Sequence, residues 1–175
     1  SPALAKPSFH GIFTDHAVLQ RDRPIVIWGQ AAAAEQLKVS IGDTAVDIVA
    51  DSEGTWRATL PVMPAGGPYK LSVTNKAGET QQLNDIMVGD VFLCSGQSNM
   101  AMTVKESMNA GYEISSVNHP TIRTINIALA TKPSPQTQLP SSGEWKTATP
   151  ANVGEFSAAC FYYARQLQPH INAPI

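Results

Sequence analysis

The sequence has no apolar run approaching the roughly 20 residues that a bilayer-crossing helix requires, so a helical membrane span is excluded. It also lacks a surplus of positive charge. Twelve Lys and Arg stand against 14 Asp and Glu, a formal charge of -2, and the electrostatic footprint of a nucleic-acid binder is missing. Only two cysteines occur, Cys94 and Cys160, and no Cys/His cluster or H-E-x-x-H spacing accompanies them, so no metal is expected. The two could in principle form one disulfide. Placed in an expected buried strand and on an expected helix face, they are read instead as small buried thiols. The start, Ser1-Pro2-Ala3-Leu4-Ala5-Lys6-Pro7, has neither an initiator Met nor a signal h-region and reads as a mature or trimmed N-terminus.

What is present divides into two grammars. Up to about residue 86 short β-like runs alternate with turn clusters. Pro24-Ile25-Val26-Ile27-Trp28-Gly29 is apolar and β-branched, and Leu37–Ile41, Trp56–Leu60 and Tyr69–Val73 alternate in and out. The breaks at Gly42-Asp43, Asp51–Gly54, Pro64–Pro68 and Asn75–Gly78 carry turn chemistry. This pattern predicts an all-β domain over 1–86, a β-sandwich of jelly-roll-like character. The acidic turn Asp51-Ser52-Glu53-Gly54 lacks the ligand periodicity of an EF-hand loop and is read as a turn, not a calcium site.

Residues 87–175 read as the N-terminal part of an α/β domain. Met87–Cys94 is nearly unbroken apolar sequence, as in a parallel strand covered on both faces. A weakly helical stretch near Asn109–Asn118 follows, then a strand over Thr121–Leu129 and a Pro-rich polar loop over Thr131–Gly143. From Glu155 to Gln168 the apolar residues Phe156, Ala159, Cys160, Tyr163, Ala164 and Leu167 recur at helical spacing, and Pro169 is expected to stop that helix. The tail Asn172–Ile175 reads as the approach to a further strand. One strand–helix–strand unit does not close a doubly wound sheet, so the second domain reads as cut off partway.

The candidate for chemistry is Ser98, four residues past Cys94. Reactive groups in open α/β sheets gather at the carboxyl ends of strands, and Gly96 permits a sharp turn there. A serine nucleophile needs a base, a group that orients the base, and donors aimed at the developing oxyanion; the Ser98 backbone N–H is a candidate donor. Asn99-Met100 follows where the G-x-S-x-G elbow would have x-Gly, so that motif does not apply. The plain alternative is that Ser95, Ser98 and Asn99 cap the next helix.

The segment Gly89-Asp90-Val91-Phe92-Leu93-Cys94-Ser95-Gly96-Gln97-Ser98-Asn99-Met100 closely resembles the nucleophile block of the sialate O-acetylesterase family, a branch of the SGNH hydrolases. The resemblance continues through Phe13–Arg21, Pro24–Gly29, Gly143–Lys146 and Phe156–Ala159. It implies a β-sandwich beside a flavodoxin-like three-layer α/β hydrolase domain, and a Ser-His-Asp esterase that removes acetyl groups from glycans, sialic acid esters foremost. Ser98 would be the nucleophile and backbone oxyanion donor, with Gly96, Gln97 and Asn99 supporting it, and no cofactor is required. Ala101 stands where the family often has an acidic residue.

The family's D-x-x-H block is not in this chain. His10, His16, His119 and His170 each lack an Asp three residues earlier and read as structural or exposed. The expectation is therefore that a C-terminal segment, on a second polypeptide or in a longer chain, supplies the triad His and Asp. Trp56 reads as core, with Trp28 and Trp145 the remaining candidates for a sugar platform, and Arg123 and Arg165 read as paired or solvated charges. The partner expected is an acetylated glycan, in a secreted, periplasmic or lysosomal setting, a cytoplasmic one remaining open. Competing readings are an acetylxylan or other plant-polysaccharide deacetylase, and a carbohydrate-binding β-sandwich module with an inert α/β fragment.

Overall fold

The computed structural model describes residues 6–140 and 143–175; the start at Ser1–Ala5, and Ser141 and Ser142 of the Pro-rich loop, lie outside them. Eight strands come first: β1 Ser8–Phe9, β2 Val18–Gln20, β3 Pro24–Gln30, β4 Gln36–Ile41, β5 Thr44–Val49, β6 Thr55–Val62, β7 Gly66–Asn75 and β8 Thr80–Gly89. One sheet has the order β1-β3-β6 and is antiparallel, and the second has the order β2-β8-β7-β4-β5, antiparallel except for the parallel pair β2 and β8. Each strand recognised by its alternation buries alternate residues: Ile25 and Ile27, then Leu37, Val39 and Ile41, then Trp56, Ala58 and Leu60, then Leu71 and Val73. They meet in one apolar core shared by both sheets. Trp56 is fully buried and its indole N–H donates to the Gln30 carbonyl at 3.0 Å, so the ring serves packing and not sugar binding.

The edge strand β5 was not legible in the sequence, because its residues alternate between half-buried and exposed and Val49 faces solvent. Its pairing with β4 sets Asp47 opposite Lys38. At Asp51–Gly54 the carboxylate of Asp51 accepts from the backbone N–H of Glu53 and Thr55, which closes the turn on itself.

The second part contains α1 Ser98–Ala101, α2 Ala110–Ser115, β9 His119–Ile125, β10 Trp145–Ala148 and α3 Ala158–Ile171, with single 3-10 turns at Val104–Glu106 and Val153–Glu155. β9 and β10 pair antiparallel. A second apolar cluster joins Val104, Ile122, Val153, Phe156, Phe161 and Ile175 beneath α3.

Three expectations need correction. The run Met87–Cys94 is not one strand: Met87–Gly89 are the last rungs of β8, opposite Val18–Gln20, and 90–94 leave the ladder with Leu93 93% exposed. A parallel strand takes its order from neighbours on both sides, and here Pro174 and Ile175 reach only its beginning. Pro169 does not stop α3. The helix loses the one N–H that Pro cannot offer, continues to Ile171, and ends where Asn172 adopts a left-handed conformation at φ 48°. Cys94 and Cys160 are not thiols buried apart; they are joined in a disulfide, with Cα atoms 6.3 Å apart. Cys94 is exposed and Cys160 half-buried, because segment 90–94 is uncovered and Cys160 sits on the first turn of α3 facing it.

A buried cation joins the two parts, beside the bonds from Trp145 to Ile12 and Thr14. Arg123, on β9, is 7% exposed. Its guanidinium bonds the Asp85 carboxylate at 2.8 Å, the carbonyl of His16 at 3.0 Å and the carbonyl of Asp85. The expected reading of Arg123 as a structurally paired charge is the observed one.

Candidate active site

The site is built outward from the root of segment 90–97. Asp90 follows the last residue of β8, and Arg21 follows the last residue of β2; their side chains form a two-pronged ion pair, Nε to Oδ1 at 3.0 Å and Nη2 to Oδ2 at 2.9 Å. Gln20 donates to the same carboxylate and accepts from the Val91 N–H at 3.0 Å. Residues 20–21 and 89–91, about seventy positions apart, thus fix where the segment leaves the five-stranded sheet. This anchor was missed in the sequence, since no local spacing relates Arg21 to Asp90.

Four residues before Ser98, the Cys94–Cys160 bond ties the segment to α3. Beyond Ser98 the ties repeat. Ser157, which caps α3, donates its hydroxyl to the Met100 carbonyl at 2.6 Å, the Ala158 N–H donates to the Met102 carbonyl at 2.8 Å, and Met100 Sδ lies 3.4 Å from Cys160 Sγ. Ser98 therefore sits on a short span secured on both sides to the first turn of α3. The even cysteine count was the one sequence signal that pointed to this arrangement.

Within the span, a Cβ at Gly96 would come 3.0 Å from Met100 Cβ, so the glycine admits the close return of α1. Gln97 is the residue before α1 and makes no side-chain cap bond; Ser98 and Asn99 are its first two residues, and all three are exposed. The capping alternative for Ser98 fails here, since Ser98 stands inside the turn and not ahead of it.

Among the described residues no hydrogen bond joins any of the four histidines to Ser98. His10 Nε2 lies 3.0 Å from the Thr137 carbonyl and His16 Nδ1 lies 2.6 Å from Asp85 Oδ2. His119 stacks edge-on against Phe161, and His170 lies in the last turn of α3. Burial holds the His119 imidazole below its ordinary value, and the nearby Arg165 charge adds to that. For Asp85, burial pushes the carboxyl up, yet hydrogen bonds from His16 and Arg123 outweigh it and keep the carboxyl below the usual range. His16 and Asp85 form a carboxylate–imidazole pair, but it is committed to the Arg123 clamp.

Other candidates are likewise absorbed by packing. Arg165 pairs with Glu113 at 2.5 Å and lies over the Tyr162 ring. Trp145 donates its indole N–H to the Ile12 carbonyl, and Trp28 packs edge-on against Phe13. No group of three or more His, Cys, Asp or Glu side chains suited to a metal ion occurs among the described residues.

Comparison with known proteins adds to this geometry. The sialate O-acetylesterase of Mus musculus is 29% identical over 184 residues, a match covering 95% of this chain and 34% of that protein. That of Homo sapiens is 28% identical, with 95% and 35% covered. The chain is similar to the sialate O-acetylesterases along nearly its whole length. It spans about a third of the length of these curated relatives. The crystal structure of a carbohydrate acetylesterase from Xanthomonas citri matches with a TM-score of 0.93 at 36% identity, covering 97% of this chain and 39% of that one. No protein-family model matches the chain. The resemblance to sialate O-acetylesterases seen in Gly89–Met100 thus extends to the chain as a whole, and the predominance of sheet agrees with the acetylesterase structure.

Proposed function

We propose that this chain is the nucleophile-bearing portion of a serine esterase that removes O-acetyl groups from glycans, with O-acetylated sialic acid as its preferred substrate class. The observation that carries the reading is Ser98: the residue at the centre of the nucleophile-block resemblance is solvent-exposed and strapped on both sides to α3. In this reading the Ser98 hydroxyl attacks the acetyl carbonyl while a histidine takes its proton. The tetrahedral oxyanion accepts a hydrogen bond from the Ser98 N–H, the sugar hydroxyl departs with a proton returned by the histidine, and water then releases acetate from the acetyl-enzyme. The triad His and Asp come from polypeptide outside residues 1–175, within an SGNH-type α/β domain to which residues 87–175 contribute the first part.

The disulfide supports a secreted, periplasmic or lysosomal setting, where such bonds persist. A broader carbohydrate deacetylase, acting on polysaccharides such as xylan, is the second reading, favoured by the higher identity to the Xanthomonas citri enzyme. Acetate release from O-acetylated sialic acid and from acetylated xylan, measured side by side on the enzyme containing the complete hydrolase domain, separates the two. In that enzyme a fluorophosphonate probe should label Ser98, and Ser98→Ala should lower turnover by on the order of 10³-fold or more with the fold unchanged. Turnover near the wild-type rate in Ser98→Ala would exclude the nucleophile. Absence of labelling combined with acetyl-independent glycan binding would favour a binding module instead.

A further inference from the structure

The backbone at Asp90, on the way from β8 to Ser98, is bonded on both sides, and most of the bonds come from two residues of the β-sandwich. The Arg21 N–H donates to the Gly89 carbonyl at 2.8 Å, which fixes the peptide group before Asp90 together with the bond from the Asp90 N–H to Pro174. Gln20 Oε1 accepts from the Val91 N–H at 3.0 Å and fixes the peptide group after it. Between the two, the Arg21 fork holds both oxygens of the Asp90 carboxylate, and Gln20 Nε2 bridges that carboxylate to the Arg21 carbonyl. The arrangement prolongs the β2 and β8 ladder: Gln20 is paired in parallel with Gly89, so Arg21 and Asp90 are the next positions in register.

The ties at the far end are of another kind. The disulfide limits the reach from Cys94 to Cys160, but the torsions of both side chains leave the peptide groups of the segment free to turn. The Ser157 and Ala158 bonds act only beyond Ser98, on Met100 and Met102. Every residue from Val91 to Asn99 is exposed, so packing does not orient the segment either. Its direction is therefore set at the root. Four residue steps of at most about 3.6 Å separate Asp90 from Cys94, so a turn of about 10° at Asp90 would carry Cys94 by about 2 Å. A misplacement of about 1 Å at a reacting group can cost about 100-fold in rate.

We propose that Gln20 and Arg21 are positioning residues for Ser98, so that the β-sandwich is part of the catalytic frame of the esterase and not an appended binding module. The inference rests on the reading of Ser98 as the nucleophile. Neither residue meets the substrate; they act through Asp90 and Val91. The planar fork of Arg21 matters more than its charge, because two parallel bonds fix the plane of the Asp90 carboxylate where a lysine would fix one point. Loss of the root should therefore lower the rate of the chemical step and leave substrate binding nearly unchanged. A sandwich that served to bind glycan would show the reverse.

The test is steady-state kinetics and the rate of fluorophosphonate labelling on the enzyme containing the complete hydrolase domain. Arg21→Gln should lower kcat on the order of 100-fold and slow labelling in parallel, with KM within about twofold of wild type. Arg21→Lys should fall between the two. Val39→Ala, in the sandwich core away from the root, is the stability control: it should lower the melting temperature at least as far as Arg21→Gln and keep kcat. In the 175-residue chain, Arg21→Gln should also speed exchange of the Asp90 and Val91 amides while those around Trp56 stay protected. A kcat within about twofold of wild type in Arg21→Gln, an equal loss of kcat in Val39→Ala, or unchanged exchange at Asp90 and Val91 would each overturn the proposal. Should Arg21→Gln not fold, Arg21→Lys decides on the same terms. Turnover retained in Ser98→Ala would bring down the nucleophile reading itself, so the two failures are distinguishable.

Discussion

Replacing both Cys94 and Cys160 by Ser removes the covalent tie between the Ser98 span and α3, and its effect can be worked from chain topology. The bond closes a loop with a sequence separation of 66. Loop-closure entropy grows slowly with length, about 3 kcal/mol for 15 residues and about 4.7 kcal/mol for 100, so the cross-link restricts the unfolded chain by about 4 kcal/mol. For a domain of this size each kcal/mol moves the melting temperature by roughly 2–4 °C, and the double variant should melt about 8–16 °C lower. Calorimetry with urea unfolding measures this, and wild type in reductant should reproduce it. The loss should be local in the native state: amides of Gly96–Met100 should exchange faster while those around Trp56 in the first core keep their protection. A double variant within about 1 kcal/mol of wild type, with Gly96–Met100 exchange unchanged, would refute the reasoning and show that Ser157, Ala158 and the Met100 contact alone hold the span.

Asp85→Ala strands the Arg123 guanidinium, whose side chain is 3% exposed, and should cost about 2–4 kcal/mol by urea unfolding; the carbonyls of His16, Pro120 and Asp85 still receive part of its hydrogen bonding. The Asp85 carboxyl has a folded value below its unfolded value near 3.9, so its contribution is complete above about pH 4 and is lost as pH falls through the folded value; wild type should lose more stability than Asp85→Ala across that acid range. His119 titrates below its ordinary value when folded, so unfolding takes up a proton as pH falls through about 6.5, and His119→Gln should flatten the loss of stability that sets in below that pH. Gly89→Ala sets a Cβ against the Pro174 carbonyl and should cost about 1–3 kcal/mol, with the Asp90 and Ile175 amides losing exchange protection.

How much was legible follows from the range of each interaction. The strands around Ile25, Val39, Trp56 and Val73 were read from their alternation, because a sheet with one face buried writes a period of two into the chain. A helix was read at Glu155–Gln168 from a 3.6-residue stripe, and α3 lies three residues later at both ends. The stripe was misassigned too, since Ala158, Phe161 and Ala164 are buried while Ala159 and Tyr163 are exposed. The end was missed because a proline in the last turn of a helix forfeits a single hydrogen bond, which local sequence cannot weigh against packing. The approach of Asn172–Ile175 to a strand was also readable, and the ladder from Ile175 to Thr121 and Arg123 realises it.

The sequence by itself determined the two-part division of patterns, the position of Ser98 after an apolar segment, and the resemblance of Gly89–Met100 to a sialate O-acetylesterase nucleophile block. Each rests on patterns read within short stretches of the chain, the last two within a dozen positions. Only the tertiary structure decided that Cys94 meets Cys160, that Arg21 grips Asp90, that Arg123 is clamped to Asp85, and that 90–94 is an open flank and not a finished strand. Those pairs lie between 38 and 69 positions apart in the chain, and such contacts form where two distant segments face one another, a relation that no local periodicity encodes.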